Sequence, residues 1–359
     1  MARPAAAHPL YVPFEGPVST LYAELVERTR AQGPLLPGTP GSLALRARAD
    51  SGSYWYRRYY DVAGAPQAEK YVANQGDETA RETMQRRIDA AEWTQGQVRD
   101  LRNLGMQVAD KDAARVLVEL HNRELFAAGL VLVGTLAFMA WLNELGVRAV
   151  SSRTQDIDLA RRQALKLAAP QSFMSVVAAT QLDFFPIPGI SPAEPPTSVK
   201  RRGREGLRVD VLTSGPELGK VVGVPELAWH AQAIPHFDYL LEAPRQVAVL
   251  AGGHCVPLNA PAPERLAWHK LYSSTRRLSD SAKAEKDLRQ AATLLAVLVE
   301  RDNIALAATA AAVPQEVLDA ARLRMPALRG LLAPHPQALD DLEHAINAGP
   351  AKPSKVRAD

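Results

Sequence analysis

The feature that most constrains this chain is an apolar run at its centre, LFAAGLVLVGTLAFMAWL, from Leu125 to Leu142. It carries two glycines, Gly129 and Gly134, and its periodicity changes after the second. The run therefore reads as a buried strand, LVLVGT, followed by a helix, LAFMAWLNELG, and not as a membrane span. Around it, helical and strand-like patterns alternate. A helical segment from Ala113 to Phe126 leads in. A strand around RTQDIDLA, a helix near Ser172 to Gln181, a Pro-rich loop from Pro186 to Pro196 and a strand in LRVDVLT follow. That alternation predicts an α/β (α+β) core on a mixed sheet.

The flanks differ in character. On the N-terminal side, Val18 to Gln32 has helical spacing that ends at a Pro/Gly cluster between Gly33 and Gly41. SLALRARAD and YWYRRYYDV alternate about the turn residues Ser51, Gly52 and Ser53, and AEKYVA adds a third strand. Asp77 to Leu104 has a long helical pattern, with Gly96 as an interruption point. On the C-terminal side, VVGVPEL, YLLEA, RQVAVLA and HCVPLNA continue the strand pattern, with a hairpin turn at Gly252 and Gly253. Amphipathic helical patterns then cover Glu264 to Arg277, Ser281 to Arg301, Pro314 to Leu332 and Gln337 to Asn347. A chain of 359 residues has room for more than one core. The expected division is an N-terminal helical segment (1–40), a β-hairpin and long helix (41–112), the mixed-sheet core (113–260), a helical bundle (261–348) and a disordered tail (349–359).

Composition narrows the function classes. The balance of 42 basic against 39 acidic side chains, a net charge of +3, is too even for nucleic-acid binding by bulk electrostatics. Cys255 is the only cysteine, so neither an intrachain disulfide nor a cysteine-rich zinc site can form. MARPAAAHPLYVPFEG lacks the apolar core of a signal peptide, and a cytoplasmic protein without a membrane partner is expected.

The chemistry concentrates in three segments. Asp156 and Asp158 flank Ile157 in a strand-like stretch, so alternation puts both carboxylates on one face and Ile157 in the core. Clustered anions call for a cation, and magnesium suits oxygen ligands shared with substrate phosphates. Asp210, between Val209 and Val211, sits in a second strand, and a neighbouring place in the sheet brings it to the same site. Two ions there could activate a hydroxyl and stabilise a leaving pyrophosphate. Upstream, Gly134 and Thr135 end a strand and open a helix, where backbone N–H groups and the helix dipole favour a phosphate. Gly134 leaves room for that approach, and Thr135 adds a hydroxyl donor.

The order LVGT, helix, TQDIDLA, LRVDVL resembles the nucleotidyltransferase-fold superfamily, with its Gly-Ser or Gly-Gly, Asp-x-Asp and later lone Asp. PERLAWHKLYSSTRR and KAEKDLRQAATLL resemble the helical half of bacterial nucleotidyltransferase-like proteins related to the AbiEii and MenT toxins. The likeness is strongest to the GSU2403-type family and spans roughly residues 40 to 305. It implies a nucleotidyltransferase core in which Gly134 and Thr135 contact phosphate, Asp156 and Asp158 bind Mg2+ or Mn2+, and Asp210 completes the carboxylates. It further implies that Lys270 binds the phosphates of a nucleoside triphosphate, with Lys286 and Asp287 near the nucleotide. The acceptor is an RNA end, a protein hydroxyl or a small molecule. An inactive nucleotide-binding or interaction module, one half of a toxin–antitoxin pair with an antitoxin partner, is the alternative. Thr135 stands where the family commonly has Ser, and the interval from Gly134 to Asp156 is long.

Simpler roles compete at several positions. Lys270 can snorkel at the edge of a helix face made by Leu266, Ala267 and Leu271. Lys283, Lys286 and Asp287 can form a solvated helix face, and Arg276 and Arg277 can compensate a helix C-terminus. His254 and Cys255 should point to opposite faces of a strand, against a thiol–imidazole pair. His121 and His269 lack metal-ligand spacing, and the Tyr54–Tyr60 aromatic run suits a packed hairpin. Lys200, Arg201, Arg202 and Arg204 form the densest basic cluster, either a solvated loop or a grip on an RNA backbone.

Overall fold

Burial of the central apolar run organises the molecule. A computed structural model describes residues 8–48, 52–61, 64–150, 154–189, 194–203, 205–277 and 280–349. The N-terminal part comprises β1 (Tyr11–Pro13), α1 (Gly16–Ala31), β2 (Ser42–Arg48), β3 (Gly52–Tyr59), β4 (Ala68–Asn74), α2 (Glu78–Asn103) and α3 (Lys111–Asn122). Strands β2, β3 and β4 form an antiparallel sheet in that order. The Asp77 carboxylate caps α2 by accepting from the Ala80 amide at 3.0 Å. Asp110 caps α3 the same way through Ala113, at 2.8 Å. Helix α2 runs through Gly96 without a break.

The central part holds β5 (Val131–Val133), α4 (Gly134–Glu144), β6 (Val147–Ala149), β7 (Asp156–Arg161), α5 (Phe173–Ala178), β8 (Phe184–Ile187), β9 (Ser198–Arg201), β10 (Arg208–Ser214), β11 (Val221–Val224), β12 (Trp229–Ile234) and α6 (Phe237–Leu240). Seven of these strands make one mixed sheet, ordered β11-β12-β10-β7-β5, with β9 also on β10 and β8 on β9. Strand β10 is parallel to β7 and β12, whereas β5 is antiparallel to β7. The long interval between Gly134 and Asp156 is taken up largely by α4 and β6, and β6 pairs with β1.

Three readings of this region need correction. YLLEA is not a strand: His236 turns the chain at φ 62°, and α6 follows. WHAQAI, by contrast, is the sheet strand β12. The Pro-rich loop begins inside β8, and Lys200 and Arg201 of the basic cluster lie in β9, while Arg204 is outside the described residues. Antiparallel pairing with β10 makes β9 a strand, a non-local contact that local propensity does not signal.

Strands β13 (Arg245–Ala251) and β14 (His254–Ala260) form a hairpin turned by Gly252 and Gly253, both at positive φ. Helices α7 (Pro263–Arg276), α8 (Ser281–Glu300), α9 (Leu306–Ala310), α10 (Gln315–Leu331) and α11 (Pro336–Ala348) complete the fold. One continuous apolar core joins the mixed sheet and α4 to α7, α8, α10 and α11. A smaller one, including Leu25, Val98, Leu101, Leu250 and Cys255, lies between α1, α2 and the hairpin. No described helix is long and apolar enough to cross a membrane.

Candidate active site

Strand β7 buries Ile157 and Leu159 completely and turns Asp156 and Asp158 to the opposite face. Parallel pairing sets Asp210 directly beside Asp158, and Arg208 beside Asp156. Val209 and Val211 go into the core, so Asp210 shares the face of the β7 acids. The three carboxylates line one cavity of about 450 Å³, together with Gly134 and Thr135 at the start of α4.

Their environment disfavours the charged form of two of them. Burial, then the charges of Asp210 and Asp156, push the Asp158 carboxyl up to about 7, against the pull of Lys270 and Arg277. Burial also raises Asp210, opposed by hydrogen bonds from Ser198 and Arg208. Both donors converge on Oδ1 of Asp210, with Arg208 Nε at 2.8 Å and the Ser198 hydroxyl in close contact. Asp210 is thus tied towards β9. Among the described residues, no group of three or more His, Cys, Asp or Glu side chains is gathered closely enough to hold a metal ion. The donor chemistry of Asp156 and Asp158 still fits a hard divalent cation, because only carboxylate oxygens are offered and Asp158 lacks a direct counter-charge.

Gly134 has a role that its spacing did not show. It sits at φ +69°, and a Cβ there would fall on the Asp158 carboxylate. The space left by the missing side chain is filled by that acid, so Gly134 makes room for Asp158 before any phosphate. Thr135 is buried in the first turn of α4 and lines the cavity.

The facing wall comes from α7 and α8. Lys270 is only 4% exposed, which excludes snorkelling, and its Nζ donates to Asp287 Oδ1 at 3.1 Å. Arg277 Nε donates to Asp287 Oδ2 at 2.6 Å, so this guanidinium serves a buried acid and not the end of α7. Burial alone would raise Asp287, but the charges and hydrogen bonds of Lys270 and Arg277 hold its carboxyl below the ordinary value. Asp287 is 5% exposed and therefore no part of a solvated face. Burial, then Lys270, lowers the Lys286 pKa, while Asp287, Asp156 and Asp158 act in the opposite direction. Lys283 and Arg276 are the more exposed cations of this wall: Lys283 pairs with Asp280 at 3.8 Å, and Arg276 lies over the Tyr272 ring. The structure thus brings Gly134, Thr135, Asp156, Asp158, Asp210, Lys270, Lys286 and Asp287 around one cavity.

Sequence reasoning missed Arg208, Arg277 and the apolar end of the cavity at Ile234, Phe237, Leu240 and Tyr272. Arg208 was within reach, since it lies two residues before Asp210 in an alternating strand. Phe237 was not, because α6 carries no local signal. Elsewhere, Cys255 is fully buried with its thiol pushed up to about 12 by burial, which excludes a thiol nucleophile. His121 contacts the Pro257 carbonyl at 3.0 Å, and His269 packs between Phe237 and Tyr272. The aromatic hairpin packs as expected, with Tyr54 and Tyr56 against Tyr71 and with Arg57 buried over Tyr59. In the basic cluster, Arg201 is in an ion pair with Asp112 and Arg202 with Asp183 at 2.9 Å.

Comparison with known proteins gives a family and a few distant structures. A family model described as nucleotidyltransferase matches residues 111–314. A crystal structure of an antigenic nucleotidyltransferase-like protein from Paracoccidioides brasiliensis is similar at 14% identity and a TM-score of 0.35, covering 69% of this chain and 96% of that one. A solution structure of antibiotic-resistance factor ANT(2'')-Ia is similar at 16% identity and a TM-score of 0.29, covering 65% of this chain and 95% of that one. No curated protein sequence matches significantly.

Proposed function

The chain belongs to the nucleotidyltransferase family, and from that premise we propose that it transfers a nucleotidyl group from a nucleoside triphosphate to a hydroxyl acceptor. The observation that carries this reading is the division of one cavity into an acidic strand wall, Asp156, Asp158 and Asp210, and a basic helical wall, Lys270, Arg277 and Lys286. A triphosphate with an associated cation needs both signs of charge at close quarters.

In this reading Asp156 and Asp158 hold Mg2+ or Mn2+, which when bound supplies charge neutralisation for the phosphates. Lys286 and the start of α4 at Gly134 and Thr135 meet the phosphate oxygens. Lys270 and Arg277 face the same cavity, kept in place by Asp287. Asp210 takes the proton from the acceptor hydroxyl as its oxygen bonds to the α-phosphorus, and the bond to the departing pyrophosphate breaks. Ser198 and Arg208 both meet Oδ1 of Asp210, which leaves Oδ2 for that proton. The Arg208 contact offsets the charge of Asp210 and so favours a second reading, a nucleotide-binding module without transfer. The likeness of α7 and α8 to the helical half of toxin-related proteins makes an antitoxin-like partner, and an RNA or protein acceptor, part of the proposal.

The test is incubation with labelled nucleoside triphosphates, magnesium and cell extract, with identification of the labelled product. Label on one defined acceptor supports transfer. Binding of nucleotide without any labelled product supports the silent module, and neither binding nor label removes the proposal.

A further inference from the structure

A second cavity, of about 360 Å³, lies between α2, α3, the segment after α1 and the tip of the β13–β14 hairpin. No residue lines both cavities. Helix α2 lines it with Thr83, Arg86, Arg87, Ala90, Ala91 and Thr94, whose alternating steps of three and one make a single helical stripe. Helix α3 contributes Lys111, Ala114 and Val118. Both helices thus present alanine to the space, and a methyl leaves open what a longer side chain would fill.

A further wall is made by Leu35 and Leu36, and it is fixed in place. Asn122 holds the Leu35 backbone through two hydrogen bonds, at 2.8 and 2.9 Å, and the His254 ring meets the Leu36 carbonyl at 3.1 Å. A site of this kind is preformed and mostly apolar, as small-molecule sites usually are.

The open charges restrict the occupant. Asp61 also lines the cavity, but its side chain is only 2% exposed and paired with Arg115 at 3.3 Å, so it is closed to a ligand. Arg86, Arg87 and Lys111 are exposed. Arg86 donates to the Thr83 hydroxyl at 3.2 Å and Arg87 to the Pro34 carbonyl at 3.1 Å, both neutral acceptors. Among the described residues, no carboxylate is paired with any of the three. A ligand therefore meets aliphatic walls and positive charge, which match an anion on an aliphatic chain. The space limits the chain, because about 360 Å³ is near the lower end of the roughly 300–1,000 Å³ of small-molecule sites. We propose that this cavity binds a medium-chain fatty acid, its chain along Leu36, Ala90, Ala91 and Val118 and its carboxylate at Arg86 and Arg87. The planar guanidinium groups suit a carboxylate head. The site is independent of the transfer reaction proposed for the other cavity.

The test uses the full chain without nucleotide or divalent cation. Calorimetry compares decanoate, octanoate, 1-decanol and decyltrimethylammonium, each below its micellar concentration, and hydrogen–deuterium exchange locates the bound chain. Decanoate should bind about ten-fold more tightly than octanoate, which buries two fewer methylenes. It should also bind at least about ten-fold more tightly than the alcohol or the cation. Protection should appear over residues 83–95 and not in 266–287. Replacing Arg86 and Arg87 together with Ala should weaken decanoate by about ten-fold and leave 1-decanol unchanged. Ala90→Phe should fill the cavity and weaken every chain alike. If that variant does not fold, the double arginine variant, at exposed positions, still decides the matter. Equal affinity for decanoate and decyltrimethylammonium, no gain with chain length, protection confined to 266–287, or no binding of decanoate would overturn the proposal.

Discussion

Asp158 and Asp287 line the same cavity from opposite walls, yet their carboxyls are shifted in opposite directions. Burial acts on both to favour the neutral acid. Asp158 adds two like charges to that penalty, whereas Asp287 receives two cations, each with a hydrogen bond. Depth alone therefore does not separate a structural acid from a reactive one. Asp287 is completed by its own fold; Asp158 is left for something the chain does not supply.

Removing Asp158 should have the largest consequence. Asp158→Asn should lower transfer by about 10³-fold while making the unliganded protein about 1–2 kcal/mol more stable at pH 8. Transfer assays and urea unfolding measure the two, and a variant that is active, or less stable than wild type, breaks the contrast between the walls. Asp287→Asn should do the reverse to stability. It leaves Lys270 buried without its carboxylate, and a loss of about 3 kcal/mol is expected. If unfolding shows no loss, the Lys270–Asp287–Arg277 cluster is not what holds the basic wall.

A smaller effect tests the packing of Gly134 against Asp158. Gly134→Ala adds a side chain at positive φ and displaces the carboxylate, so about 1–2 kcal/mol of stability should go, together with part of the nucleotide affinity. A pH series sharpens the same comparison. Asp158 has a folded value of about 7 against an ordinary 3.8, so its contribution to stability is fully present below pH 3.8 and is lost as pH rises through about 7. Asp287 is lowered, so its contribution is present above pH 3.8 and is lost as pH falls through its lower folded value. Subtracting the Asp158→Asn curve should isolate the first window, and a difference that does not change between pH 4 and pH 8 would contradict the assignment. Least affected should be the double variant Arg201→Ala, Arg202→Ala. The exposed Arg202–Asp183 pair and the half-buried Arg201–Asp112 pair each contribute about 1 kcal/mol or less, and only a salt slope of RNA affinity reduced by about two units would give them a role in acceptor binding.

The strand wall was legible because it is written in local spacing. Alternation in DID and VDV sets which side chains share a face, and the glycine after LVLV marks where a strand must turn into a helix. Each inference needs only a few consecutive residues. The in-register placement of Asp210 beside Asp158 extends that logic across one strand pairing. The helical wall was only half legible. Helical periodicity identifies α7 and α8, but leaves Lys270 at the edge of an apolar face and Asp287 among lysines, with nothing local to say that they meet in the interior.

Strands β9 and β12 were invisible for the same reason, since each is stabilised by hydrogen bonds to a strand that follows or precedes it by several residues and not by its own composition. A cavity of about 360 Å³ between α2, α3 and the tip of the β13–β14 hairpin is the extreme case. Asp61, Thr94, Arg115 and His254 come from a strand end, two helices and a hairpin, and no spacing relates them. By itself the sequence determined which residues share a face and where elements begin, because these depend on the period of the backbone. Only the tertiary structure decided which buried charges found partners, because compensation depends on distance in space between residues far apart in the chain.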